Sequence, residues 1–157
     1  MMTDPLTEAA QIIAALDLAP HPEGGWYRQT WISDVPMAQP DAAATPPRAS
    51  GTAILFLLQA GERSHWHRVD AAEIWFWHAG APLILSCAET AAGPARDLRL
   101  GPDVLAGQAV QGIVPAGHWQ AAVSTGAFTL VSCTVSPGFR FDGFELAPPG
   151  FDIPRQT

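Results

Sequence analysis

With 157 residues the chain is the length of one domain, a size that can bury roughly two thirds of the surface its unfolded form exposes. Hydrophobic residues make up 48% and charged residues 15%, which favours a packed globule over extended disorder. A net charge of −7, with eight Lys and Arg scattered along the chain, argues against nucleic-acid and anionic-membrane partners.

Asp4 followed by Pro5 reads as an N-cap with proline at the first helical position. Leu6, Ala9, Ile13 and Leu16 then recur at helical spacing, so one amphipathic helix is expected over about residues 5–18. Pro20, Pro22, Gly24 and Gly25 end it. From Trp26 onward, short apolar or alternating runs divided by Gly and Pro predict strands at 26–31, 52–59, 73–78, 83–87, 110–114, 119–124 and 128–136. Between the first two lies a proline-rich and alanine-rich stretch over about 35–50, with Pro36, Pro40, Pro46, Pro47 and the run Ala42 to Ala44, expected to be a mobile loop. The whole is expected to be a single all-β domain, a rolled antiparallel sheet with one N-terminal helix and room inside for a small ligand. No apolar run reaches the ~20 residues of a membrane span, and the first residues hold no basic segment leading into an apolar one. A soluble, cytoplasmic protein is therefore expected. Cys87 and Cys133 sit in apolar strand-like sequence and read as buried free thiols.

His65 and His67 are two residues apart, so a regular strand turns both imidazoles to one face. Glu73 opens the next apolar segment and a hairpin brings its carboxylate beside them. After the turn Pro115-Ala116-Gly117, His118 and Gln120 share a face if extended. Two chemistries remain open for such a set: ligation of a divalent first-row metal, or general acid and base work by groups that titrate near neutrality. Trp75 and Trp77 share parity with Glu73 and are expected to wall the cavity and contact substrate. Tyr27, the single tyrosine, is either a proton donor there or a core residue. His78 should face away from Glu73, and His21, ahead of a proline in a turn, reads as structural. Glu23-Gly24-Gly25 reads first as a glycine turn opening the first strand.

Gly61, His65, His67, Glu73 and Gly80 resemble the first motif of the cupins, and Pro115-Ala116-Gly117 resembles the core of the second. The segments His21-Pro22-Glu23-Gly24-Gly25-Trp26-Tyr27-Arg28, His67-Arg68-Val69-Asp70-Ala71-Ala72-Glu73-Ile74-Trp75 and Val135-Ser136-Pro137-Gly138-Phe139 resemble the DUF985, or cupin_5, family over about Ala9 to Phe151. The resemblance implies a cupin-type antiparallel β-barrel, or jelly roll, that pairs as a homodimer. It also implies a site for a divalent metal (Zn, Fe, Mn or Ni) held by His65, His67, Glu73 and Gln120. Two departures stand out: five residues separate His67 from Glu73, where cupins commonly have three or four, and Gln120 occupies the place of the second motif's histidine.

Two classes of function follow. One is an enzyme on a small polar metabolite such as a sugar derivative or a keto or hydroxy acid. It would work by isomerase, epimerase or lyase chemistry, with His67 or Glu73 as base and Tyr27 or His118 as acid; an iron dioxygenase is a variant. The other is a small-molecule binding protein without turnover.

Overall fold

The computed structural model describes residues 7–38 and 47–156. Helix α1 (Glu8–Ala15) starts at Thr7, whose hydroxyl accepts from the Ala10 N–H, so the N-cap lies at Thr7. The expected cap at Asp4 and Pro5, and Leu6 with it, lie outside the described residues. The helix also stops short of Leu18. Asp17 turns left-handed (φ 54°), Leu18 tucks in beneath, and the chain leaves at once as strand β1 (Ala19–Pro20).

Among the described residues ten further strands follow: β2 (Trp26–Ile32), β3 (Thr52–Gln59), β4 (Arg63–Val69), β5 (Ala72–Gly80), β6 (Leu83–Ala88), β7 (Arg96–Leu100), β8 (Gln111–Val114), β9 (Trp119–Ser124), β10 (Phe128–Ser136) and β11 (Phe144–Leu146). They form two antiparallel sheets in the orders β1-β2-β3-β10-β5-β8 and β11-β4-β9-β6-β7. The fold is thus an all-β jelly roll. Among the described residues the two sheets face each other as a sandwich and do not close into one continuous barrel.

Inward side chains of both sheets meet in a core that includes Phe56 and Leu58 of β3, Trp75 of β5, Leu83 and Leu85 of β6, and Val131 of β10. Helix α1 lays Ala9, Ile12, Ile13 and Leu16 against Leu57 and Phe128 on the outer face of the larger sheet. A second apolar cluster lies behind the smaller sheet, where Ile153 and Ala147 of the C-terminal segment cover Trp66 and Trp119. Cys87 and Cys133 are free thiols. The stretch expected to be a mobile loop has a paired base: Pro36 bridges Ala49, and the Met37 N–H donates to the Arg48 carbonyl. Pro40, Ala42 to Ala44 and Pro46 lie outside the described residues. Among the described residues no helix is long and apolar enough to cross a membrane.

Candidate functional site

One irregularity in β4 decides which side chains meet. Ser64 pairs with Ala122 and His67 with Gln120, so β4 spends one residue more than β9 over the same span, a β-bulge at His65 and Trp66. Both bulged side chains leave the interior. Trp66 is sealed under the C-terminal segment, its indole N–H donating to Asp152 at 2.9 Å, and His65 Nε2 meets the Pro148 carbonyl at 3.0 Å. His67 then points inward. The same-face expectation for His65 and His67 fails because period-two alternation breaks at a bulge.

The bulge has a partner. The His65 N–H donates to the Glu23 carbonyl at 2.8 Å, pinning the loop between β1 and β2 against β4. Gly24 (φ 110°) makes this approach feasible, since a Cβ there would run into the Arg63 carbonyl oxygen. The carboxylate of Glu23 is thereby driven into the interior, where it accepts from Ser64 Oγ at 2.8 Å and from His67 Nδ1 at 2.8 Å. Glu23 is the cavity residue that sequence reading passed over in favour of a glycine turn. Its signal was a carboxylate between His-Pro and Gly-Gly in a chain poor in charge.

A cavity opens at this end of the sandwich, lined by His21, Glu23, His67 and Glu73 together with Phe139, Phe141 and Phe144, the last packed against the His67 ring. It offers about 110 Å³ of space, the scale of a small metabolite. Tyr27 also lines it. The three phenylalanines pack edge to face with centroids 5.0 to 6.0 Å apart and form an apolar wall. His67 has its Nδ1 held by the Glu23 carboxylate and by the His65 carbonyl at 2.7 Å, while its Nε2 has no partner among the described residues and opens on the cavity. Glu73 Oε1 accepts from Gln120 Nε2 at 2.8 Å, and Gln120 Oε1 accepts from the Trp75 indole at 2.7 Å.

Burial alone would strip His67 of its proton, but the charge and hydrogen bond of Glu23, with Glu73 nearby, raise it to about 9. Burial pushes Glu73 up to about 7, the attraction of His67 being offset by the repulsion of Glu23. Glu23 is also penalised by burial, yet His67, His21 and Ser64 hold it below the ordinary carboxylate range. His21 is kept neutral, chiefly by burial. Its Nδ1 accepts the Glu23 backbone N–H at 3.0 Å, so the 3.4 Å approach of the Glu23 carboxylate to that nitrogen is not an ion pair.

The structure therefore brings His67, Glu73 and Tyr27 to one cavity and leaves the other expected site residues elsewhere. Trp75 is core and reaches the site only through Gln120, and Trp77 packs in the core with its N–H on the Ala81 carbonyl. Neither lines the cavity. His118 stands at an outer depression beside Cys87 and Arg96. The metal set His65, His67, Glu73 and Gln120 is not assembled: His65 is turned out and the Gln120 oxygen is taken by Trp75. Among the described residues no group of three or more His, Cys, Asp and Glu converges as metal ligands do.

The family model described as the cupin superfamily (DUF985), Cupin_5, matches residues 10–147. The chain belongs to this cupin family. This cupin is similar in structure to a hypothetical protein from Leishmania major, with 30% identity, a TM-score of 0.80, and 92% of this chain and 90% of that one covered. It is also similar to a protein of Shewanella oneidensis, at 38% identity and a TM-score of 0.79, with coverage of 90% and 85%. A variant of oxalate decarboxylase from Bacillus subtilis, at 12% identity and a TM-score of 0.59 over 82% of this chain and 29% of that one, shares the fold. No curated protein matches the chain.

Proposed function

We propose that the cavity is the active site of an enzyme that moves a proton on a small metabolite, by isomerisation, epimerisation or elimination. One observation carries this reading: a single cavity holds two groups tuned apart, a carboxyl that titrates near neutrality and an imidazole that stays cationic. Glu73 as carboxylate takes a proton from carbon next to a carbonyl. The C–H electron pair moves into the carbonyl, and the enolate oxygen accepts a hydrogen bond from His67 Nε2–H, whose charge Glu23 sustains. Returning the proton to another atom or face gives an isomer or epimer; expelling a group from the next carbon gives a lyase. Tyr27 is the proposed second donor.

His67 is the single cation of the lining among the described residues, which favours a neutral or singly charged substrate. The phenylalanine wall favours an apolar portion on it and supports the second reading, a binding protein in which the ligand is held and not turned over. The edge strand β8, with Ile113 61% exposed, supports a homodimer as part of this proposal.

Solvent exchange separates the two readings without knowledge of the product. Sugars, keto acids and hydroxy acids are incubated with the protein in deuterium oxide, and loss of C–H signal is followed by proton NMR. Exchange by the wild type that disappears in Glu73→Gln is expected. Ligand binding with no exchange across the panel would establish the binding protein instead.

A further inference from the structure

We infer that Trp75 and Gln120 are positioning residues that decide which oxygen of Glu73 carries its proton, keeping Oε1 as an acceptor and leaving the proton to Oε2. As a device for proton transfer this rests on the function proposed here; as a statement about where the proton sits it does not.

An indole N–H can donate and never accept. Trp75 is 1% exposed, and its N–H is satisfied by Gln120 Oε1 at 2.7 Å. With the amide oxygen committed on that side, its NH2 group must face Glu73, and Nε2 lies 2.8 Å from Oε1. The opposite amide orientation would set one donor against another around a buried indole, an arrangement that costs the desolvation of an unmade hydrogen bond. Gln120, also 1% exposed, has no water to escape to. Oε1 therefore faces a fixed donor, and it meets that donor better as the carbonyl oxygen of the acid than as the hydroxyl oxygen, the weaker acceptor of the two.

The other groups around Glu73 impose no such choice. His67 comes from β4 and Glu23 from the loop before β2; both act on the carboxyl through charge, His67 favouring its ionisation and Glu23 opposing it. Cys133 of β10 hydrogen-bonds the carboxyl, but burial and the carboxylates keep it a thiol, which can donate or accept. The donor-only indole, relayed through an amide, is the element with a single permitted direction. Gln120 occupies the place where the cupin second motif has a histidine, and here it serves as a polarity-setting link in place of a ligand.

The test is the titration of the Glu73 carboxyl carbon by carbon-13 NMR in glutamate-labelled full-length protein without substrate. It is run on wild type, Gln120→Met, Trp75→Phe and the double variant. Gln120→Met removes the donor from Oε1 while nearly keeping the volume, and should raise the Glu73 midpoint by ~1 pH unit, a tenfold gain in proton affinity. Trp75→Phe frees the amide to turn its oxygen toward Glu73 and should shift the midpoint the same way. The double variant should titrate like Gln120→Met alone, because the indole acts only through the amide. An unmoved midpoint in Gln120→Met, or additive shifts in the double variant, would overturn the assignment. If Trp75→Phe proves unfolded by near-ultraviolet circular dichroism, Gln120→Met decides alone. Shifts as expected in a protein that exchanges no substrate hydrogen would uphold the proton placement and remove the proton-transfer function. Unmoved midpoints in a protein that does exchange would do the reverse.

Discussion

Replacing Glu23 by Gln should abolish the alkaline part of the protein's pH-stability profile. In the folded protein His67, 2% exposed, keeps its proton up to about 9, whereas in the unfolded chain it releases it near 6.5. Stabilisation from this group is complete below 6.5 and is lost as pH rises through about 9. At roughly 1.4 kcal/mol per pH unit of that window, its full size is about 3 kcal/mol. The amide that Glu23→Gln introduces accepts a hydrogen bond from His67 Nδ1–H but supplies no charge, so burial wins and the imidazole is neutral when folded. The variant should therefore be less stable than wild type by about 3 kcal/mol near pH 6 and nearly equal to it above pH 9. Urea unfolding at pH 6, 7.5 and 9.5 measures this, with the imidazole followed by proton NMR. Parallel loss of stability by Glu23→Gln and wild type between pH 6.5 and 9.5 would show that Glu23 does not hold the charge on His67.

Gly24→Ala should cost about 2 kcal/mol or more, since its φ of 110° and the nearby Arg63 carbonyl both reject a Cβ; calorimetric melting and loss of the raised His67 titration would register it. His65→Ala should change stability by no more than ~1 kcal/mol and leave the His67 midpoint in place, because the His65 side chain meets the Pro148 carbonyl outside the cavity, and its contacts to Glu23 and His67 are made by the backbone, which the substitution keeps. Gln120→His should leave zinc affinity in chelator competition unchanged, as the added imidazole finds His65 turned away and His67 bound to Glu23.

Much of the scaffold is visible in the residues themselves. Apolar runs bounded by Gly and Pro place β3, β9 and β10 at the very limits observed, 52–59, 119–124 and 128–136. By contrast β4, with Arg63, His65, His67 and Arg68, and β7, with Arg96, Asp97 and Arg99, carry too many polar side chains to look like strands, and only their sheet neighbours make them so. The site divides the same way. His67 and Glu73 stand out as titratable groups at motif spacing, but a bulge leaves no mark in a two-residue period, so His65 is misplaced by reasoning from alternation. Glu23 escapes because its role depends on a contact 41 residues along the chain, while its neighbours advertise only a turn.

That long reach has a consequence for how the centre can be disarmed. The carboxylate that charges His67 does not belong to the sandwich core; it is clipped on from the loop between β1 and β2, at the rim of the larger sheet, where β1 is two residues long. Peeling back that rim would withdraw Glu23 from His67 while leaving β3, β10 and β5 zipped together. The charge on His67 and the architecture therefore have separate points of failure, and the β1–β2 rim holds the key to the first.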